Sequence, residues 1–241
     1  MKISRLKRNV GVGLVSLVVA LMMSCNPSNK DVSKLKKDEP HPEAINYVTK
    51  NLGSIISSQE KSLGVQHFGL PNIEFKGCGF RGEREFYNPD TDTLTLYLPR
   101  AYVHFSPRTT EDLIRHGLGH IYADKLSEGL ENESWPPKVE KNIDYVRYGL
   151  VAEGIAEYFK RKSHNEEDTF KDSQWPKTVE EFEKISDSIY YNGSYHLVKP
   201  IIDKHGQEGI EYLINNPPEI QDLKDLPRYQ KIVLENLSTN K

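Results

Sequence analysis

Residues 109–126 read TTEDLIRHGLGHIYADKL. Thr109 with Asp112 three residues later matches a capping box and predicts a helix start at Thr109. Within that helix His116 and His120 stand four residues apart, about 40° around the axis and one turn along it, so both imidazoles can meet one metal ion. The pair has a plainer reading as well, two partly buried, hydrogen-bonded histidines on a packed helix.

A second helix is predicted downstream over Tyr145–Lys160 (YVRYGLVAEGIAEYFK), beyond a polar stretch that holds Trp135-Pro136-Pro137. Continuous from Val139, it sets Val139, Ile143, Val146, Leu150, Glu153 and Glu157 within about 80° of one another. Two carboxylates thus extend an apolar stripe. Tyr148, Ala152, Ile155 and Phe159 form another apolar face, so most of the circumference is read as buried. Carboxylates in such a place need a cation, a donor or a raised pKa. A break at Gly149 would free both glutamates to face solvent.

Upstream, Ile45, Val48, Leu52, Ile55 and Ile56 recur at helical spacing and predict an amphipathic helix over Glu43–Ser62. A short strand is expected near Ile73–Phe75. Arg84–Tyr87, the turn Asn88-Pro89-Asp90-Thr91 and Thr93–Leu98 read as a hairpin, with Leu94, Leu96 and Leu98 alternating to one face. After Pro107 the period is helical throughout. A few strands followed by many helices argue an α+β domain over residues 41–241, with no internal repeat.

His116-Gly117-Leu118-Gly119-His120 followed by Glu153-Gly154-Ile155-Ala156-Glu157-Tyr158 resembles the zincin metallopeptidases of the gluzincin branch, thermolysin-like and aminopeptidase-like enzymes. Their pattern is H-E-x-x-H on one helix and a third ligand from a later E-G-x-A-x-Y-like helix. The likeness covers about Asn72–Asn216 and includes Tyr190-Tyr191-Asn192-Gly193-Ser194-Tyr195-His196-Leu197-Val198 and the turn His205-Gly206. It implies a zincin-like fold with a small antiparallel sheet, Thr93–Leu98 as its edge strand, and a mainly helical part after it. It further implies a Zn2+ site of His116, His120 and Glu153, with Glu157 orienting a ligand histidine and Tyr190, Tyr191 or His196 as candidate oxyanion donors. Packing and surface roles stand against those last three.

This chain departs from the pattern at Gly117, where the family carries the glutamate that is its general base. Along the same helix Leu113 and Ile121 are apolar, and Asp112 and Asp124 point or lie too far away to substitute. Losing a positioned base costs about 10²–10⁴-fold. The resemblance therefore implies a retained metal site with weak or absent peptide-bond hydrolysis, and a Gly117→Glu change that the helix tolerates and that restores activity. The alternative is a pseudopeptidase that binds a peptide or surface partner without catalysis. A third reading is a helical lipoprotein with no metal at all.

The N-terminus reads as an address. Residues 1–8 are basic, and Val10–Met23 is an apolar run of fourteen, short of the ~20 that span a bilayer but suited to a secretory signal. It ends in Leu21-Met22-Met23-Ser24-Cys25, which resembles the bacterial lipoprotein box. That implies a signal peptide over 1–24, acylation of Cys25 and a lipid anchor in the bacterial cell envelope. The alternative is an uncleaved signal anchor. Residues 25–40 are polar and aperiodic, as a flexible tether would be. With Cys25 acylated, Cys78 is a lone thiol. Removing Lys2, Arg5, Lys7 and Arg8 with the signal leaves 28 basic against 35 acidic residues, a net of −7. An acidic chain without a basic stripe is no nucleic-acid binder by expectation; a peptide or protein partner fits better.

Overall fold

The computed structural model describes residues 39–64, 69–78, 83–100, 103–128, 142–182 and 184–239. The signal segment, Cys25, nearly all of the tether, Trp135-Pro136-Pro137 and Val139 lie outside the described residues. The first helix, α1 (Pro42–Leu63), starts on a proline suited to the first helical turn, with the His41 ring accepting from the Glu43 N–H. It stops at Gly64, whose left-handed φ of 64° a side chain would resist. Ahead of this helix Pro40 bridges Arg100, and the His41 N–H reaches the Pro99 carbonyl at 2.7 Å.

Strands β1 (Asn72–Cys78), β2 (Arg84–Asn88) and β3 (Thr93–Pro99) form one sheet in the order β1-β3-β2. The hairpin is present as expected, closed by a short 3₁₀ turn that the Asn88 side chain caps. The sheet is mixed, not antiparallel: β3 runs parallel to β1 and antiparallel to β2. Nor is β3 an edge. Both its faces are covered, with Leu94, Leu96 and Leu98 fully buried and Thr95 only 5% exposed, whereas β2 leaves Phe86 58% exposed. The buried leucines pack with Val48, Ile55 and Ile56 of α1 and with Ile114, Leu118 and Ile121 of the next helix.

That helix, α2 (Pro107–Glu128), begins two residues before the expected capping box. Pro107 occupies its first turn, and Ser106 accepts from the Thr109 and Thr110 N–H groups. Asp112 is then free for another task and meets the His164 ring at 2.7 Å. Helix α3 (Asn142–Lys162) runs through Gly149 without a break. It crosses α2 closely at Gly119, where a Cβ would come within 2.6 Å of the Ala156 Cα. After a short α4 (Val179–Phe182) come α5 (Asp187–Asn215) and α6 (Leu226–Thr239). α5 is two helical pieces joined at Gly206, whose φ of 58° makes the expected His205-Gly206 turn. Helices α2, α3, α5 and α6 enclose the larger core around Leu150, Ile155, Val198, Ile201 and Leu213. The described residues make an α+β fold in which no helix is long and apolar enough to cross a membrane.

Asp203 ties α3 to α5. It accepts from Tyr158, Lys162 and Lys199 at 2.7, 2.6 and 2.5 Å. Burial alone would raise its pKa, but those three donors hold the carboxyl down at about 2, from 3.8. A depressed carboxyl contributes stability above its unfolded pKa and loses it as pH falls through the folded one. Solvent screening at this partly exposed site trims an unscreened ~2.5 kcal/mol to about 1 kcal/mol. Asp203→Asn is expected to lower stability by about that amount at pH 7 and to flatten its fall between pH 4 and 2, as read by urea unfolding across that range.

Candidate metal centre

His116 and His120 sit on the turn of α2 that faces both β2 and α3. Their rings meet edge to face with centroids 5.0 Å apart, His116 only 7% exposed. Across from them α3 supplies Glu153. One of its carboxylate oxygens, Oε2, lies 3.5 Å from His116 Nε2 and 3.6 Å from His120 Nε2. The same oxygen is buried and makes no hydrogen bond among the described residues. A buried carboxylate oxygen set between two imidazole nitrogens is an arrangement suited to a cation. The structure thus brings together the three residues that the resemblance assigns to the metal.

It also adds one. Glu85 on β2 reaches His116 from the opposite side, its Oε1 2.7 Å from Nδ1. Nitrogen and oxygen atoms of Glu85, His116 and His120 all lie within 4.8 Å of one another, close enough to hold a metal ion. Periodicity could not point to Glu85, because the apolar residue of that strand is its neighbour Phe86, and Phe86 faces outward. The hairpin register could have done so. Glu85 pairs with Leu96 and Tyr87 with Leu94, and residues directly opposite share a face, so both must point inward with the buried leucines. Tyr87 confirms the register by donating to Asp92 or Asp124, each 3.1 Å away.

Glu157 is 3% exposed and lies 3.5 Å from His116 Nε2, the nitrogen that also faces Glu153. Its carboxylate is engaged by Lys160 at 2.5 Å and Arg161 at 2.6 Å, with Arg161 steadied in turn by Asn192. The acid bonded to His116 is therefore Glu85; Glu157 is the counter-ion of two cations. Of the candidate oxyanion donors, Tyr191 meets the centre edge to face, its ring centroid 6.2 Å from that of His116. Burial, reinforced by the charges of Glu153 and Glu85, pushes its hydroxyl up to about 12, so it stays a donor at neutral pH. Tyr190 rests its hydroxyl beside Gly149. His196 belongs to a different cluster, with Asp168 2.6 Å from Nδ1 and Asp172 3.0 Å from Nε2.

Burial opposes charge throughout the centre, and mutual attraction overcomes it. Desolvation would raise Glu85 and Glu153, yet the bonded and neighbouring imidazoles hold both carboxyls below the usual range. His120 is raised despite its burial, by Glu153 first and then by Glu85 and Glu157. A proton on His120 thus compensates carboxylates that a divalent cation would otherwise neutralise.

Gly117 faces the sheet. A Cβ there would come 2.6 Å from Leu94 Cδ1 and 3.2 Å from Glu85 Cγ. Glutamate at 117, which helix propensity favours, would therefore require the methyl end of fully buried Leu94 to shift. Cys78 is half-buried against the Tyr97 carbonyl, and burial pushes its thiol up, away from the reactive thiolate form. Compared with models of known families, with curated proteins and with solved structures, the chain matches none.

Proposed function

We propose that this is a zincin-like, zinc metallopeptidase-like protein, lipid-anchored through Cys25 in a bacterial cell envelope, with a peptide or protein as its ligand. The observation that carries the reading is the buried, unbonded Glu153 Oε2 held 3.5 and 3.6 Å from the two imidazole Nε2 atoms. Two histidines and a carboxylate are a donor set suited to zinc, and His116, His120 and Glu153 would hold it. Zinc, when bound, supplies Lewis acidity for polarising a carbonyl. Tyr191 offers a protonated hydroxyl beside His116, suited to holding a peptide carbonyl oxygen. Residue 117 provides no carboxylate, which favours weak hydrolysis or a pseudopeptidase that binds peptide without cleaving it.

Two measurements on purified protein test this. Metal analysis after equilibration with zinc is expected to find one ion per chain. Incubation with a mixed peptide library is expected to show little or no cleavage. Protein that retains no zinc at micromolar concentrations would overturn the metal reading, and brisk cleavage would overturn the view that catalysis is impaired.

A further inference from the structure

The 2.7 Å contact between Glu85 and His116, taken with the packing at Gly117, carries an inference that rests on the metal reading and deepens it. We infer that Glu85, brought in by the edge strand β2, is the positioning residue for His116, and that residue 117 is glycine because a side chain there would drive Glu85 and Leu94 away.

An ionised carboxylate can only accept hydrogen bonds, so the Nδ1 atom facing Glu85 must carry the proton. In the neutral ring the other nitrogen, Nε2, then keeps its lone pair, directed at the side where Glu153 waits. An acceptor on the far nitrogen of a ligand histidine fixes both tautomer and ring orientation, and its loss typically costs 10–100-fold in metal affinity. Glu157, the acid that the family pattern puts in this role, cannot fill it. It lies on the Nε2 side, and Lys160 and Arg161 hold its oxygens.

Gly117 completes the arrangement. At this position β2 and β3 press against the bare backbone of α2, with Leu94 and the stem of Glu85 occupying the volume of the missing side chain. Leu94 is fully buried and has little room to retreat. Two residues further along the same inward face, Tyr87 meets Asp124 of α2 and pins the strand, so a displacement at 117 would be borne by Leu94 and Glu85. The absent glutamate is then the space through which a different carboxylate reaches the site.

The test is competition of metal-free protein with a chromophoric chelator for zinc, on wild type, Glu85→Gln, Glu85→Ala, Gly117→Ala and the Glu85→Ala/Gly117→Ala double variant. Thermal melting of each checks the fold. Glu85→Ala should weaken zinc binding 10–100-fold, and Glu85→Gln less than tenfold, because its amide carbonyl still accepts the N–H. Gly117→Ala should weaken binding although it removes no functional group. The double variant should be little worse than the poorer single, the mark of two changes acting on one contact. A second readout needs no metal: ring ¹⁵N–¹H correlations of His116 at alkaline pH should show Nδ1–H in wild type and Glu85→Gln, and a mixture of tautomers in Glu85→Ala. Zinc affinity of Glu85→Ala equal to wild type would overturn the inference. Equal large losses in Glu85→Gln and Glu85→Ala would overturn it too, by making Glu85 a ligand itself. If wild type holds no zinc, the metal reading falls, and the tautomer spectra still decide whether Glu85 positions the ring.

Discussion

His120→Ala is expected to leave a folded protein that no longer holds stoichiometric zinc. Structural zinc sites bind with about 10–16 kcal/mol shared among four ligands, so removing one should cost on the order of 10²–10³-fold in affinity. The fold should survive, for alanine is the better helix former and the His120 side chain, 21% exposed, leaves a position that water can reach. Loss of the imidazole also leaves Glu153 with one fewer positive neighbour, so its carboxyl should titrate higher. Metal analysis alongside urea unfolding separates a lost site from a lost fold. Zinc retained within tenfold of wild type would place the ion elsewhere in the cluster, on Glu85 and His116.

Glu157→Ala should do the opposite, costing stability more than metal. This carboxylate is nearly inaccessible and compensates Lys160 and Arg161, whose side chains are 27% and 14% exposed. Breaking a buried ion pair from one side typically costs about 3–5 kcal/mol, because the stranded charge stays buried. Partial exposure of Lys160 puts the expected loss at the lower end, about 3 kcal/mol. Arg161 also lies over the Tyr195 ring, at 4.7 Å from its centroid, and bonds Asn192, so its displacement would loosen the packing of α3 on α5. The urea midpoint should fall sharply while zinc affinity per folded molecule changes less than in Glu85→Ala. A Glu157→Ala protein as stable as wild type but deficient in zinc would return this residue to the orienting role that the family pattern assigns it.

The contrast between Glu85 and Glu157 marks how far the site was legible from sequence. Four-residue spacing put His116 and His120 on one turn, and the phase of α3 put Glu153 and Glu157 on one stripe; all four meet where those periods point. Phase says that two acids share a face. Counting one turn on also puts Lys160 and Arg161 beside Glu157, where both pairs form; it does not say which acid reaches the far nitrogen of His116. His196 falls on the expected helix, yet both its nitrogens are occupied by Asp168 and Asp172, a pairing that depends on how the segment before α5 folds back.

What the sequence by itself determined is whatever covalent geometry imposes within a few residues. That includes the helical period of α1, α2 and α3, the β2–β3 turn, and the inward row of Leu94, Leu96 and Leu98. Only the tertiary structure decided the order of the sheet and what packs against Gly117. It also decided that the acid at His116 comes from a strand 31 residues earlier. A local period repeats along the chain and can be counted. A contact between a strand and a helix exists only once burial of the leucine face has docked the sheet on α2; the hairpin register gives the face that Glu85 takes, and docking alone decides what it meets.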